Sequence, residues 1–321
     1  VAAENFQVDG RLSVADGGSM DVSAVTTTLN GKDRAVAISN DSALVFKDVD
    51  SENQCLQINS AGVLASGANS KLTVEAGSVA SLGVVQANGA TISLGTKDKR
   101  LSSVAITSGE SQTPMLRSNG GEVSLYAEDI SIQNAGHVAI DAFTYEREGE
   151  GKTGSMTIDA SRSISIAGNI VAGKDGGMLD DEYARHNSTI TIASAGSTQI
   201  AGNIYTFNAD QYLTGNSSDG TAENGPTKNV VNLTLSGDDS WLKGGVVDEG
   251  ASAADGTGTN LTLSQNAVWS NTGDSTVTRL TANEGRIEVL EGSVTAEAFE
   301  GTAEVALKGE VADDGSIKTT T

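Results

Sequence analysis

The feature that most constrains this chain is a very short alternation, repeated many times. An apolar residue, a small polar residue and a second apolar residue recur as Leu12-Ser13-Val14, Leu72-Thr73-Val74, Ile92-Ser93-Leu94, Val123-Ser124-Leu125, Ile164-Ser165-Ile166, Ile190-Thr191-Ile192 and Leu261-Thr262-Leu263. Period-two alternation marks a strand with one buried face. Between the triplets stand Gly, Asn, Asp and Ser, the residues that form turns. No segment carries the 3.6-residue apolar period over three turns, so the chain is expected to be all-β.

The alternation itself repeats. Thr157-Ile158 through Ala167-Gly168-Asn169-Ile170 returns 34 residues later as Thr191-Ile192 through Ala201-Gly202-Asn203-Ile204. Asn232-Leu233-Thr234-Leu235-Ser236 to Trp241 returns 28 residues later as Asn260-Leu261-Thr262-Leu263-Ser264 to Trp269, which sets both tryptophans at one repeat position. Val123-Ser124-Leu125 with Ile130-Ser131-Ile132 is a weaker echo one step before the first repeat. Short strands, glycine-rich corners and steps in the twenties to thirties predict a right-handed parallel β-helix, a solenoid with protruding loops. An antiparallel sandwich array is the rival. Its hairpin signals exist, as in Asn88-Gly89 and Asn119-Gly120, but steps of 34 and 28 do not look like hairpins.

Composition agrees with a long, narrow core. Aromatics make up 4 % of the chain, so the interior must be built from Val, Ile, Leu and Ala. The formal charge of −22 sets the chain against nucleic-acid phosphate and anionic lipid. A single cysteine, Cys55, excludes a disulfide scaffold and is expected to be a small core residue.

If a bare coil takes about 20 residues, the excess marks insertions, near 142–153, 172–188 and 207–229. Matching positions on successive coils should bring them to one side, in contact. The scaffold that carries the loops is read as residues 1–232, ahead of a set of C-terminal coils at 233–321.

Those C-terminal coils carry the most specific pattern. Asn260-Leu261-Thr262-Leu263 leads through Ala267-Val268-Trp269-Ser270-Asn271-Thr272-Gly273-Asp274-Ser275 to Leu280-Thr281-Ala282-Asn283-Glu284-Gly285-Arg286-Ile287. In this order of tryptophan, Gly-Asp-Ser turn, Leu-Thr strand and glycine, residues 233–307 resemble the end of the passenger domain in pertactin-like autotransporters of the type V secretion pathway. Glu284 and Glu300 depart from that pattern, standing near positions that often read Asn-Gly or Ser-Gly. The resemblance implies a passenger exposed at the bacterial outer-membrane surface or secreted. It also implies an outer-membrane β-barrel as the C-terminal partner in the full-length precursor. It names no activity, because passengers include adhesins, proteases, esterases and toxins.

Motifs for catalysis are thin. Gly273-Asp274-Ser275-Thr276 lacks the second glycine of a serine-protease nucleophile and is expected to be a turn. Gly136-His137-Val138 interrupts the histidine motif of polygalacturonase-type β-helices, and His137 is expected to be structural. Asp180, Asp181, Glu182 and Arg185 could imitate a lyase cluster in one loop, yet show no calcium spacing. No catalytic residue, metal or cofactor is therefore assigned.

Six of the twelve aromatics fall between 143 and 212, mostly in or beside the insertions. Aromatics with arginines and carboxylates are the usual composition of a glycan- or protein-binding patch. The candidate ligand-binding residues are Tyr145, Arg147, Asp180, Asp181, Tyr183, Arg185, Tyr205 and Tyr212. The expected function is adhesion or host contact, with a host glycan or extracellular protein as partner and self-association left open. A polysaccharide-acting hydrolase or lyase, and a non-binding structural spacer, are the alternatives.

Overall fold

The structure is a computed structural model. It describes residues 2–31, 34–50, 53–59, 62–107, 113–144, 153–174, 184–185, 187–213, 222–224, 226–307, 309–311 and 317–319. Among these residues the chain is all-β, without a helix.

The strands pair in parallel in three ladders, and the chain visits the ladders in a fixed order. The first ladder takes in Cys55–Ile58, Ser78–Ser81, Leu101–Thr107, Ser197–Ala201, Trp241–Lys243 and Val268–Thr272. The second takes in Val36–Ile38, Gly62–Ser66, Val84–Asn88, Leu116–Asn119, Ile204–Phe207 and Val246–Glu249. The third takes in Ala43–Phe46, Lys71–Val74, Thr91–Leu94, Ser188–Ser194, Asn229–Ser236 and Gly258–Ser264. Long strands turn the corners without a break: Glu122–Phe143 and Gly154–Ala172 each supply a rung to all three ladders. The expected boundary at 232/233 falls inside Asn229–Ser236, so one continuous stack crosses it.

The alternation dictates this packing. In each triplet the outer residues face inward and the Ser or Thr between them faces solvent. Stacking then places like on like. Val36, Val63, Val85, Leu116, Ile140, Ile170, Ile204 and Val246 form one buried column. Leu125, Ile158, Ile192, Leu233, Leu261 and Leu280 form another. Each aliphatic side chain packs against its rung neighbours above and below, and truncating one to alanine removes about 2–5 kcal/mol of local stability.

The 34-residue repeat is in register: Ile166 pairs with Ile200, Ala167 with Ala201 and Ile170 with Ile204. At its corner Asn169 Oδ1 accepts the Asn203 amide at 2.9 Å, and Asn203 Oδ1 accepts the Gly245 amide at 2.8 Å. The 28-residue repeat is in register only at first. Asn232 pairs with Asn260 and Ser236 with Ser264, but then Leu242 pairs with Trp269. The corner holds residues 237–240 on one rung and only 265–267 on the next. Losing one residue reverses the facing of all that follows. The tryptophans therefore do not share a position or pack on each other. Trp269 faces inward, fully buried, its Nε1 donating to the Gly244 carbonyl at 2.9 Å, while Trp241 is half-buried.

Two further expectations are corrected. Cys55 is half-buried beside the inward Leu56, so it lies outside the core. His137 is exposed on a bulge where the pairing of Glu122–Phe143 with Gly154–Ala172 slips between Gln133 and Val138.

Candidate functional site

Successive circuits differ in length mainly at one corner, between the second and third ladders. The early rungs cross it on a few residues: 15–18, 39–42, 67–70, 89–90 and 120–121. The chain then leaves the second ladder at Phe143, Ala172 and Phe207 and rejoins the third at Gly154, Ser188 and Asn229. These departures bound residues 144–153, 173–187 and 208–228, most of which lie outside the described residues. A fourth, at 250–257, follows on the next rung and was not singled out in the sequence. Stacking in register therefore sets the points where the chain leaves and rejoins the ladders one above another. Two of the insertions join directly: Ala184 pairs with Tyr212 and Arg185 with Leu213, and Gln211–Leu213 pairs antiparallel with Ala222–Asn224.

The necks of the insertions are tied by a buried polar clasp. Asn229 Nδ2 donates to the Phe207 carbonyl at 2.7 Å, and Asn229 Oδ1 accepts from Ser188 Oγ at 2.7 Å. Asn208 Oδ1 accepts the Asn229 amide at 2.8 Å and the Thr227 hydroxyl at 3.2 Å. Thr144 Oγ1 accepts the Gly154 amide at 2.8 Å and donates to the Asn187 carbonyl at 3.1 Å. Asn187 Oδ1 accepts the Lys228 amide at 2.9 Å. Asparagine and threonine suit these places because the backbone there leaves its ladder and its polar groups would otherwise be buried unpaired. The sequence search, directed at aromatics and charges, missed these residues. The bonded pairs are 10 to 43 positions apart and carry no local motif.

Below the necks, the outer side of the second ladder is unusually covered. Asp141 and Phe143 face outward yet are fully buried, as is Val171. The Arg117 guanidinium lies 4.8 Å from the Phe143 ring centroid, with its Nε 3.5 Å from Asp141. The Lys174 ammonium sits 4.1 Å from the Phe207 ring centroid. Val138, Val171 and Phe207 form an apolar cluster separate from the main core, with Tyr205 and Ala209 packed against it. Tyr205 and Phe207 stack at 6.2 Å, nearly parallel, and Asn203 Nδ2 donates to the Tyr205 hydroxyl at 2.9 Å. The result is a fixed apolar and aromatic base with two cations held over rings. Phe143, Phe207 and Lys174 are buried within this base, which therefore serves as packing beneath the necks, and the half-buried Tyr205 is the ring it leaves partly exposed.

Of the candidate ligand-binding residues, Tyr205 is placed on this base, half-buried and hydrogen-bonded. Arg185 and Tyr212 are placed by their backbones in the sheet that joins two insertions. Tyr145, Arg147, Asp180, Asp181 and Tyr183 lie outside the described residues. Among the described residues no group of three or more His, Cys, Asp or Glu side chains could hold a metal ion.

Comparison of the chain with protein-family models, with curated proteins and with solved structures finds no match.

Proposed function

We propose that the three ladders are the faces of one right-handed parallel β-helix, and that the chain is a bacterial autotransporter passenger, held at the cell surface or secreted, that works as an adhesin. Its insertion-bearing corner takes a host glycan or an extracellular protein. The observation that carries this reading is the convergence of the insertions: three leave the same corner on successive rungs, and two share a sheet. A scaffold that holds loops rigidly on one face is the usual form of a recognition surface. Right-handedness follows the rule for crossovers between parallel strands of one sheet. Export is supported by the single cysteine and by the pattern of residues 233–307.

The test is a glycan and matrix-protein binding screen of the chain beside two variants. One replaces 175–186 with a short Gly-Ser turn above the intact clasp, and the other is Tyr205→Ala. Binding by the chain that falls at least tenfold in both, with unchanged circular dichroism, supports the reading. Binding unaffected by either variant, or none to any target, refutes it.

A further inference from the structure

Among the described residues, the last parallel strand of the stack is open on one side. Val294–Leu307 pairs along one side with Ser275–Glu291, and among the described residues no strand pairs with its other side. Two core columns stop there. Leu280 and Ile287 are 2 % and 4 % exposed, whereas the next residues in their columns, Phe299 and Val305, are 53 % and 56 % exposed. Leu307, in register with Val289, is 55 % exposed. Free backbone donors and acceptors beside a row of apolar side chains form a template for one more parallel strand.

Charge selects what can fill it. From Ile287 to Leu307 the chain carries five glutamates and no basic residue. A second copy of a chain with net charge −22 would be repelled, and its first strand, Ala2–Val8, brings another glutamate and no cation. Beside this edge, the corner between the third and first ladders shortens by one residue per rung. It holds residues 265–267, then Glu284 and Gly285, then Ala303 alone. The stepping leaves a concave notch of about 380 Å³ lined by Asn266, Glu284, Arg286 and Glu304. Arg286 spans Glu288 at 3.1 Å and Glu304 at 3.8 Å, and Glu284 is exposed at the wall.

We infer that Val294–Leu307 is a docking edge for an extended segment of a partner protein in which apolar and basic residues alternate. The segment adds as a parallel strand. Its apolar residues cover Phe299, Val305 and Leu307, and its basic residues meet Glu300 on the outer face and Glu284 at the notch.

The probes are two fluorescein-labelled twelve-residue peptides, one alternating valine with lysine and one alternating valine with glutamate. Binding to the whole chain is followed by anisotropy at low and at 0.5 M salt, and mapped by hydrogen exchange. The lysine peptide should bind at least tenfold tighter than the glutamate peptide, weaken with salt and protect the amides of 294–307. Phe299→Ser and Glu300→Lys, both at exposed positions, should each weaken it at least fivefold. Equal binding of the two peptides, or none, overturns the inference. So does binding that both variants leave unchanged, which would be general attraction to an acidic surface. Amides of 294–307 already protected in the free chain, or protected only on self-association, assign the edge to the chain's own residues or to a second copy and overturn it as well.

Discussion

Replacing Asn229 with alanine isolates the clasp that ties the insertions to the scaffold. The side chain is fully buried, and two of its bonds are well formed, from Nδ2 to the Phe207 carbonyl and from Ser188 Oγ to Oδ1, both at 2.7 Å. Truncation leaves a carbonyl and a hydroxyl buried without these partners, and each such loss costs about 1–3 kcal/mol. A total of about 3 kcal/mol is expected, which is somewhat more than a hundredfold in an opening equilibrium. In a stack where each rung touches only its neighbours, that loss stays local. The assay is hydrogen exchange read on peptides covering 188–194 and 204–208, with 71–74 as the distant reference. Protection should fall about a hundredfold at the first two and remain unchanged at the third. Asn260→Ala is the control. Its Nδ2 donates at 2.8 Å to Asn232 on the solvent side of the same ladder, and its loss should cost about 1 kcal/mol or less. A change at Asn229 below about 1 kcal/mol, or one spread evenly over the molecule, would refute both the clasp and the local character of the stack.

Other outcomes follow from the same geometry. Trp269→Ala should cost about 3–5 kcal/mol and Trp241→Ala less than about 1, by urea unfolding. In single-tryptophan variants, Trp269 should resist acrylamide quenching and Trp241 should not. Asp248→Ala removes a carboxylate that accepts the amides of Thr259 at 2.9 Å and Thr278 at 2.7 Å, and should lower stability by about 2–4 kcal/mol. Gly62→Ala places a methyl group against the Val84 carbonyl at a φ of +107°, and strain of about 1–3 kcal/mol or more should show as a lower thermal midpoint. Hydrogen bonds from Arg162 hold the Asp129 carboxyl below the ordinary carboxylate range, with Ser163 assisting. That contribution is present above the unfolded carboxylate value and is lost as pH falls through the folded one. The stability difference between the chain and Arg162→Gln should therefore be small at neutral pH, begin to shrink only near the unfolded carboxylate value of about 4 and vanish below the lower folded value, measured as urea midpoints across pH 2–7.

Much of the scaffold was legible in the sequence because the rule that builds it is local. Each triplet declares its inward pair, and the two repeats give the step by which rungs stack. The insertions were legible as departures from that step. Facing across a corner was not, since it depends on corner length: one residue fewer at 265–267 turns Trp269 inward where its sequence equivalent, Trp241, turns out. The clasp was hidden for the same reason. Thr144, Asn187, Asn208 and Asn229 meet only once three circuits are closed, and no short motif joins them. The covered outer face at Asp141 and Phe143 was also out of reach, because outward positions on a strand are ordinarily solvated.

The most direct test of the whole account is a distance. Thr73 and Asn232 lie on one ladder, linked by register through Ser93, Ser124, Thr157 and Thr191. Five rungs at about 4.8 Å place their backbones about 24 Å apart. Spin labels at these two positions, in a Cys55→Ser background, should give one narrow distance distribution near that value by pulsed electron resonance. A broad distribution, or a mean beyond about 40 Å, would break the stack and with it the common corner on which the binding proposal rests.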